Sequence, residues 1–487
     1  MSRPLLLIPL DDRPATYRLP AEIAAIGRLS VLRPSREAMG NLERPADPDS
    51  LLAWLEAHAA EAGGAVVALD TLGYGGLIPS RQSAEPFEVI RERLERLRAL
   101  KQRHPELSLY AFSITMRLSA EAAVEEEKPY WATHGRAIYA YSYHQDKYEQ
   151  EGLEADRLTA ETARESIPDD ILEDYLATRR RNVAITRLMI DWAAEGCFEA
   201  LLLTQDDTGR FGLNVREQRG LVSKIEQAGV GDKVLVYPGA DEVASVLVGR
   251  HLNRVRGQHP RFFVQTSTPE GGTLVPMYED RPLEKTIASQ VRAVGGEVVP
   301  SLDTADFALM ANTPASGQGD LVLDLHLERV NTPPRDLEPF VRALASSSKP
   351  VALADVAYAN GADLALFRYD VDPTRLAAFA AWNTAGNTLG TVVAQASAWL
   401  DPAHRDEKAQ QQYMLERLAD DLLYQACLRK ELRAELKAGA SIPQLEASVG
   451  PRLEALWRER FPQHPIRRIA AKLPWKRLFE VDLKVEA

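Results

Sequence analysis

The chain has 487 residues, a formal net charge of −12, a hydrophobic fraction of 45% and a charged fraction of 26%. Those values exclude a disordered or fibrous chain, and they disfavour a general nucleic-acid binder, because neutralising phosphates takes a basic surface. Two cysteines, Cys197 and Cys427, are too few for a disulfide framework or a cysteine zinc site, and no stretch approaches the ~20 uninterrupted apolar residues of a membrane span. The first ten residues run straight into a strand-like apolar segment without the basic, apolar and small-residue regions of a signal peptide, so the expectation is a cytoplasmic protein.

Short apolar runs recur at residues 5–10, 66–69, 107–116, 200–204, 234–237, 262–265, 307–311 and 351–354. Being continuous rather than alternating, they predict strands buried on both faces, as in parallel sheets covered by helices. Amphipathic segments at 49–62, 86–104, 172–195, 215–228, 283–294 and 337–346 supply the intervening helices. Eight runs with helices between them predict an α/β fold with a (β/α)8 TIM-barrel-like main domain over residues 1–400. A doubly wound parallel sheet in two halves is the alternative, kept open by further strand-like pieces at 29–32, 296–299 and 379–381. Residues 128–170, rich in tyrosine (Tyr139, Tyr141, Tyr143, Tyr148), read as an elaborated polar loop, and 128–198 as a whole as a loop and helix insertion. The basic run Arg179-Arg180-Arg181 reads as a solvated helix face. Residues 401–487 read as a helical extension packed on the main domain, with a short strand near 479–485.

The apolar runs end in dense polar signatures: Pro9-Leu10-Asp11-Asp12-Arg13-Pro14, Asp70 to Gly76 with Tyr74, Ser80-Arg81, Thr115-Met116-Arg117, Gln205-Asp206-Asp207-Thr208-Gly209 and Gly239-Ala240-Asp241-Glu242. Asp355, Asn360, Asp363 and the run Trp382-Asn383-Thr384-Ala385-Gly386-Asn387 add to them. In a parallel α/β fold such positions gather where ligands bind, although each Asp or Asn is by itself also a good turn former or helix cap. Together they predict one pocket lined by Asp11, Asp12, Arg13, Asp70, Tyr74, Arg81, Arg117, Asp241, Glu242, Asp355, Asn360, Asp363, Trp382, Asn383 and Asn387, suited to a hydroxyl-rich ligand such as a sugar. Trp382 would be the platform for the sugar ring.

Asp206 and Asp207 are the expected catalytic pair. Two close carboxylates cannot both ionise easily, so one is expected to hold its proton near neutral pH and serve as a general acid. An ordinary two-carboxylate arrangement could instead pair Asp207 with Asp241 or Glu242. No metal or other cofactor is expected on this reading. The chemical alternative is a Mg²⁺ or Mn²⁺ cage from Asp11, Asp12, Asp70, Asp206, Asp241 and Asp355, which would make the chain a metal-dependent hydrolase or phosphoryl-transfer enzyme. His326 stands beside Asp324, but none of the nine histidines has zinc-site spacing.

The phrases Ile8 to Pro14, Asp70 to Arg81, Gln205-Asp206-Asp207, Tyr237 to Glu242, Asn360 to Asp363 and Trp382-Asn383-Thr384 together resemble a bacterial family catalogued as domain of unknown function 4127, across nearly the whole chain. That resemblance implies no activity. The Asp pair, the presumed barrel and the Trp-Asn motif more loosely resemble N-acetylhexosaminidases that use the substrate's acetamido group as nucleophile. This implies that Asp206 polarises that group while Asp207 protonates the leaving oxygen and then activates water. The expected function is therefore a glycosidase (EC 3.2.1 class) acting on an amino-sugar glycoside, with a carbohydrate as its small-molecule partner, no nucleic-acid or membrane partner, and a homo-oligomer allowed. A non-catalytic sugar- or metabolite-binding protein and, on a doubly wound sheet, a nucleotide-binding enzyme are the remaining alternatives.

Overall fold

Leu5–Ile8 (β1) is apolar and buried at every position, which requires cover on both faces of the sheet it joins. It pairs in parallel with Val31–Leu32 (β2) and Gly64–Ala68 (β3), and the ladder runs on through Ser108–Thr115 (β4), Ala200–Gln205 (β5) and Val234–Pro238 (β6). A second parallel sheet contains Arg261–Thr266 (β7), Glu297–Val298 (β8) and Phe307–Asn312 (β9). After the short Gly319–Asp320 (β10) it gains Val351–Asp355 (β11) and, past Tyr358–Ala359 (β12), Ala378–Ala380 (β13). This computed structural model describes residues 3–118, 124–369 and 371–486.

The strand orders are β2-β1-β3-β4-β5-β6 and β8-β7-β9-β11-β13. Counted from its own first strand, each sheet reads 2-1-3-4-5, with a sixth strand added in the first. That is a doubly wound order, in which the chain switches direction beside its first strand. Among the described residues no pairing closes either sheet into a barrel, so the eight-stranded ring expected from the run count is replaced by two open sheets. The reason lies in the three short pieces outside the eight runs. They become β2, β8 and β13, edge strands of two or three residues that complete sheets of six and five.

The chain forms two compact units. Unit 1 holds the residues up to Asp12, Ser30–Ala244 and Tyr278–Arg281, with the six-stranded sheet; unit 2 holds Arg13–Leu29, Ser245–Met277 and Pro282 onward, with the five-stranded sheet. Residues beyond 401 lie within unit 2. There Met414, Leu418, Leu422, Trp457 and Leu483 share a core with Leu353 of β11 and Phe379 of β13. The tail closes with an antiparallel pair, Arg468–Lys472 (β14) and Asp482–Glu486 (β15).

The tyrosine-rich segment is helical rather than a loop: Trp131–Glu151, Glu154–Glu165 and Asp169–Ala194. Gly152, at φ 70°, ends the first helix in the left-handed conformation that glycine adopts without strain. Polar residues hide the period of this insertion, yet Trp131, Ile138, Leu172 and Tyr175 pack with Met116, Leu118 and Leu213, the flanks of β4 and of the helix after β5. The sequence also hides the Ala385–Trp399 helix, which is buried all round and so carries no amphipathic stripe. Among the described residues no helix is long and apolar enough to cross a membrane.

Candidate functional site

The register of unit 1 decides which strand ends meet. Gln205 pairs with Thr115 across β5 and β4, so Asp206-Asp207 emerge beside Met116-Arg117, and Gly239, just past β6, donates its amide to the Gln205 carbonyl at 2.9 Å. Ala68 pairs with Phe112, which leaves Asp70, in the first turn of the Leu69–Tyr74 helix, level with the end of β4. Its Oδ2 accepts the Ile114 amide at 2.9 Å.

Two guanidiniums organise the acids at these ends. Arg81, on the Leu77–Gln82 helix and fully buried, donates to an oxygen of Asp206 and to Glu126 Oε2 and Glu127 Oε1 at 3.3 and 3.4 Å. Arg117 reaches Glu126 Oε2 and Glu127 Oε1 at 2.9 Å each and Asp207 Oδ2 at 3.8 Å. The Asp207 amide donates back to Asp206 Oδ1 at 3.0 Å, curling the tip so that both carboxylates face the same pair of arginines. Burial, with the adjacent Asp206 charge, pushes the Asp207 carboxyl up to about 7 against the pull of Arg117 and Arg81. Burial likewise pushes Asp70 up to about 7. Four carboxylates (Glu126, Glu127, Asp206, Asp207) thus face two guanidiniums, an arrangement that favours retention of a proton at Asp207.

The surroundings hold this cluster in place. Arg179 donates to the carbonyls of Met116 at 2.9 Å and Arg117 at 3.3 Å while its fork grips Glu217 at 2.6 and 2.7 Å. Arg181 caps the carbonyls of Ser80 and Glu85 at 3.0 Å each and stacks over Tyr74 at 4.9 Å. The basic run is therefore no solvated face: Arg179 is buried, and Arg180 alone is exposed. Tyr74 is buried under Arg181. Helix Trp131–Glu151 sends Ser142 and Asp146 to the amides of Leu213 and Gly212 at 2.7 and 2.9 Å, fixing the loop that leads away from Asp207. Among the described residues, the buried Thr204 hydroxyl and both side-chain polar atoms of Gln205 have no hydrogen-bond partner. A ligand offering donors and acceptors would satisfy them.

The further candidates of unit 1 are Asp11, Asp12, Asp241 and Glu242. Asp11 is buried, and the Asp12 amide donates to the Gly40 carbonyl at 3.1 Å, while Thr71 bonds the Pro9 and Leu10 carbonyls at 2.9 and 2.7 Å, tying β1 to the turn after β3. Glu242 folds back to accept the Ala240 amide at 3.0 Å, and Asp241 is buried beside it. Gly239 permits this at φ 145°, since a Cβ there would lie 2.1 Å from Glu242 Oε1.

Arg13, Asp355, Asn360, Asp363, Trp382, Asn383 and Asn387 belong to unit 2. Asp355 accepts from Asn312 Nδ2 at 2.9 Å and the Asp363 amide at 2.7 Å, and Asp363 is clamped by Arg335 at 2.5 Å. Burial and the Asp363 charge push Asp355 up to about 7. Asn360, at φ 63°, donates from Nδ2 to Asp320 at 2.8 Å. Trp382 is 8% exposed, with its indole N–H donating to Thr391 at 3.2 Å, so its ring is no open sugar platform. Asn387 sits at the start of its helix, bonded to the capping Thr384. Arg13 pairs with Glu480 at 3.3 Å and stacks over Trp475.

Reasoning from sequence passed over Glu126 and Glu127, although Glu125-Glu126-Glu127 follows the Arg117 signature by eight residues, as well as Arg335 and Asn312. Acidic runs usually mark solvated faces, and this one is drawn inward by its arginines. Among the described residues, no three His, Cys, Asp or Glu side chains are grouped so as to hold a metal ion.

Fold and site together define an α/β protein of two doubly wound units, with a carboxylate and guanidinium cluster at the strand ends of the first. The chain matches the family model "Protein of unknown function (DUF4127)" over residues 5–484 and belongs to that family. Neither a curated protein nor a solved structure matches it.

Proposed function

We propose that the chain is a hydrolase that cleaves a glycoside, of the amino-sugar class, by carboxylate acid–base catalysis at the end of β5. The observation that carries this reading is the Asp206-Asp207 pair: one carboxylate engaged by Arg81, its neighbour pushed up to about 7 by burial and by that adjacent charge. A carboxyl titrating near 7 is matched to donating a proton and taking it back at neutral pH. Asp207 protonates the leaving oxygen as the glycosidic C–O bond breaks, and the substrate's acetamido oxygen bonds the anomeric carbon. Asp206 supports the acetamido N–H. Asp207, now a carboxylate, takes a proton from the water that attacks the anomeric carbon as the bond from that carbon to the acetamido oxygen breaks, which releases the sugar and restores the starting state. The unpartnered Gln205 amide and Thr204 hydroxyl beside the pair favour a ligand rich in hydroxyl or amide groups.

A screen of nitrophenyl glycosides, including N-acetylglucosaminide and N-acetylgalactosaminide, tests this with wild type, Asp206→Asn and Asp207→Asn in parallel. Loss of the general acid is expected to lower kcat by about 10²–10⁴-fold with the fold retained. Turnover that is equal in all three proteins would refute the assignment, as would no turnover of any glycoside by wild type. The alternative reading is a Mg²⁺- or Mn²⁺-dependent hydrolase or phosphoryl-transfer enzyme. Activity that is lost to chelator and restored by either ion would select it.

A further inference from the structure

Unit 2 contains a small cleft of about 20 Å³ lined by residues of five stretches of the chain, among them Trp382, Asn383, Arg417, Arg429, Phe479 and Glu480. Its charges are unevenly matched. Arg417 is paired with Asp421 at 2.8 Å and Asp420 at 2.9 Å, and Glu480 is taken by Arg477 at 2.9 Å and Arg13 at 3.3 Å. Arg429 differs. It is 5% exposed, yet among the described residues no carboxylate lies within ion-pair distance of it. Its one hydrogen bond goes to a neutral partner, Gln425 Oε1, at 2.8 Å, and its buried Nε has none. Gln425 is itself held by donating to Asp420 at 3.0 Å, so the amide cannot turn to serve the guanidinium further. The guanidinium lies over the Phe479 ring, 4.8 Å from its centroid, which fixes its plane.

A guanidinium removed from water without a contact ion pair is unfavourable, and burial lowers the proton affinity of Arg429 against the longer-range pull of Glu480 and Asp320. Such a group is retained where an anion completes it, and the planar fork matches a carboxylate or phosphate through two parallel hydrogen bonds. The backbone around it is equally unusual. Pro14–Arg18 and Leu418–Leu428 are both wound as π-helix, with i→i+5 bonds from Leu19 to Pro14 and from Arg429 to Tyr424, and residues of both line this cleft. Wide turns of this kind are rare and concentrate at functional sites. Asn360 and Asn383, also lining it, both have positive φ, at 63° and 51°, and the Asn360 amide donates to the Asn383 carbonyl at 2.8 Å.

We propose that this cleft is a binding site for a small anion, a phosphate or a short carboxylate, which docks on Arg429 in the space that Asn383 also lines. It stands independently of the hydrolase reading, being built from unit 2 alone. The test is thermal unfolding of the full chain with inorganic phosphate and, separately, acetate at constant ionic strength, with chloride as control. Wild type is expected to show a saturable stabilisation by at least one of the two. Arg429→Met, which removes an unmatched buried charge, is expected to remain folded and to bind at least tenfold more weakly, and Asn383→Asp, which adds a negative charge to the cleft, to weaken binding in the same direction. Stabilisation of the same size in wild type and both variants would overturn the proposal, as would the lack of any saturable shift in wild type. Should Arg429→Met fail to fold, undiminished binding by Asn383→Asp overturns it alone.

Discussion

Replacing Asp70 by Asn isolates the cost of one buried carboxylate beside the candidate site. Asp70 is 3% exposed, and its carboxyl is pushed from 3.8 up to about 7, chiefly by burial. The folded state therefore binds this proton more tightly than the unfolded chain does. Below pH 3.8 the group is protonated in both states and contributes nothing; as pH rises towards 7 stability falls, and above 7 the loss is complete, at about 4 kcal/mol. Asn carries no charge at any pH and keeps an oxygen to accept the Ile114 amide, now bonded at 2.9 Å. Urea unfolding followed by circular dichroism at about pH 5 and about pH 8.5 should show the variant more stable than wild type, with a gain about 3 kcal/mol larger at the higher pH. Asp207, Asp355 and Asp421, also raised to about 7, are present in both proteins, so their contributions cancel in the difference. A gain of the same size at both pH values, or a variant weaker than wild type at pH 8.5, would refute the reasoning.

The same titration should appear in activity: with Asp207 donating the proton, kcat/KM on a responsive glycoside falls as pH rises through about 7, and Asp206→Asn, by removing the neighbouring charge, moves residual activity's alkaline limb to lower pH. A limb unmoved in Asp206→Asn would show that the two carboxylates are not coupled. Gly239→Ala places a Cβ against Glu242 at a backbone angle of φ 145°, and should cost about 2–4 kcal/mol in denaturant unfolding. An unchanged midpoint would mean that Glu242 is free to swing away.

Sequence alone determined the elements that local physics dictates. Runs such as Leu5–Ile8 and Ala200–Gln205 are apolar without alternation, so they had to become strands covered on both faces, and the polar residues after them had to fall at strand ends. The Asp206-Asp207 pair was legible for the same reason. Tertiary structure decided how the strands divide: pieces as short as β2 and β8 are legible in the sequence as strand-like but carry too little pattern to assign a neighbour, and their pairing at sheet edges makes two sheets of what also reads as one ring. It also decided which acids acquire partners. Glu126 and Glu127 are drawn onto Arg81 and Arg117, Asp363 onto Arg335, and Arg429 has no contact ion pair among the described residues, because charge pairing depends on distances between residues remote in sequence.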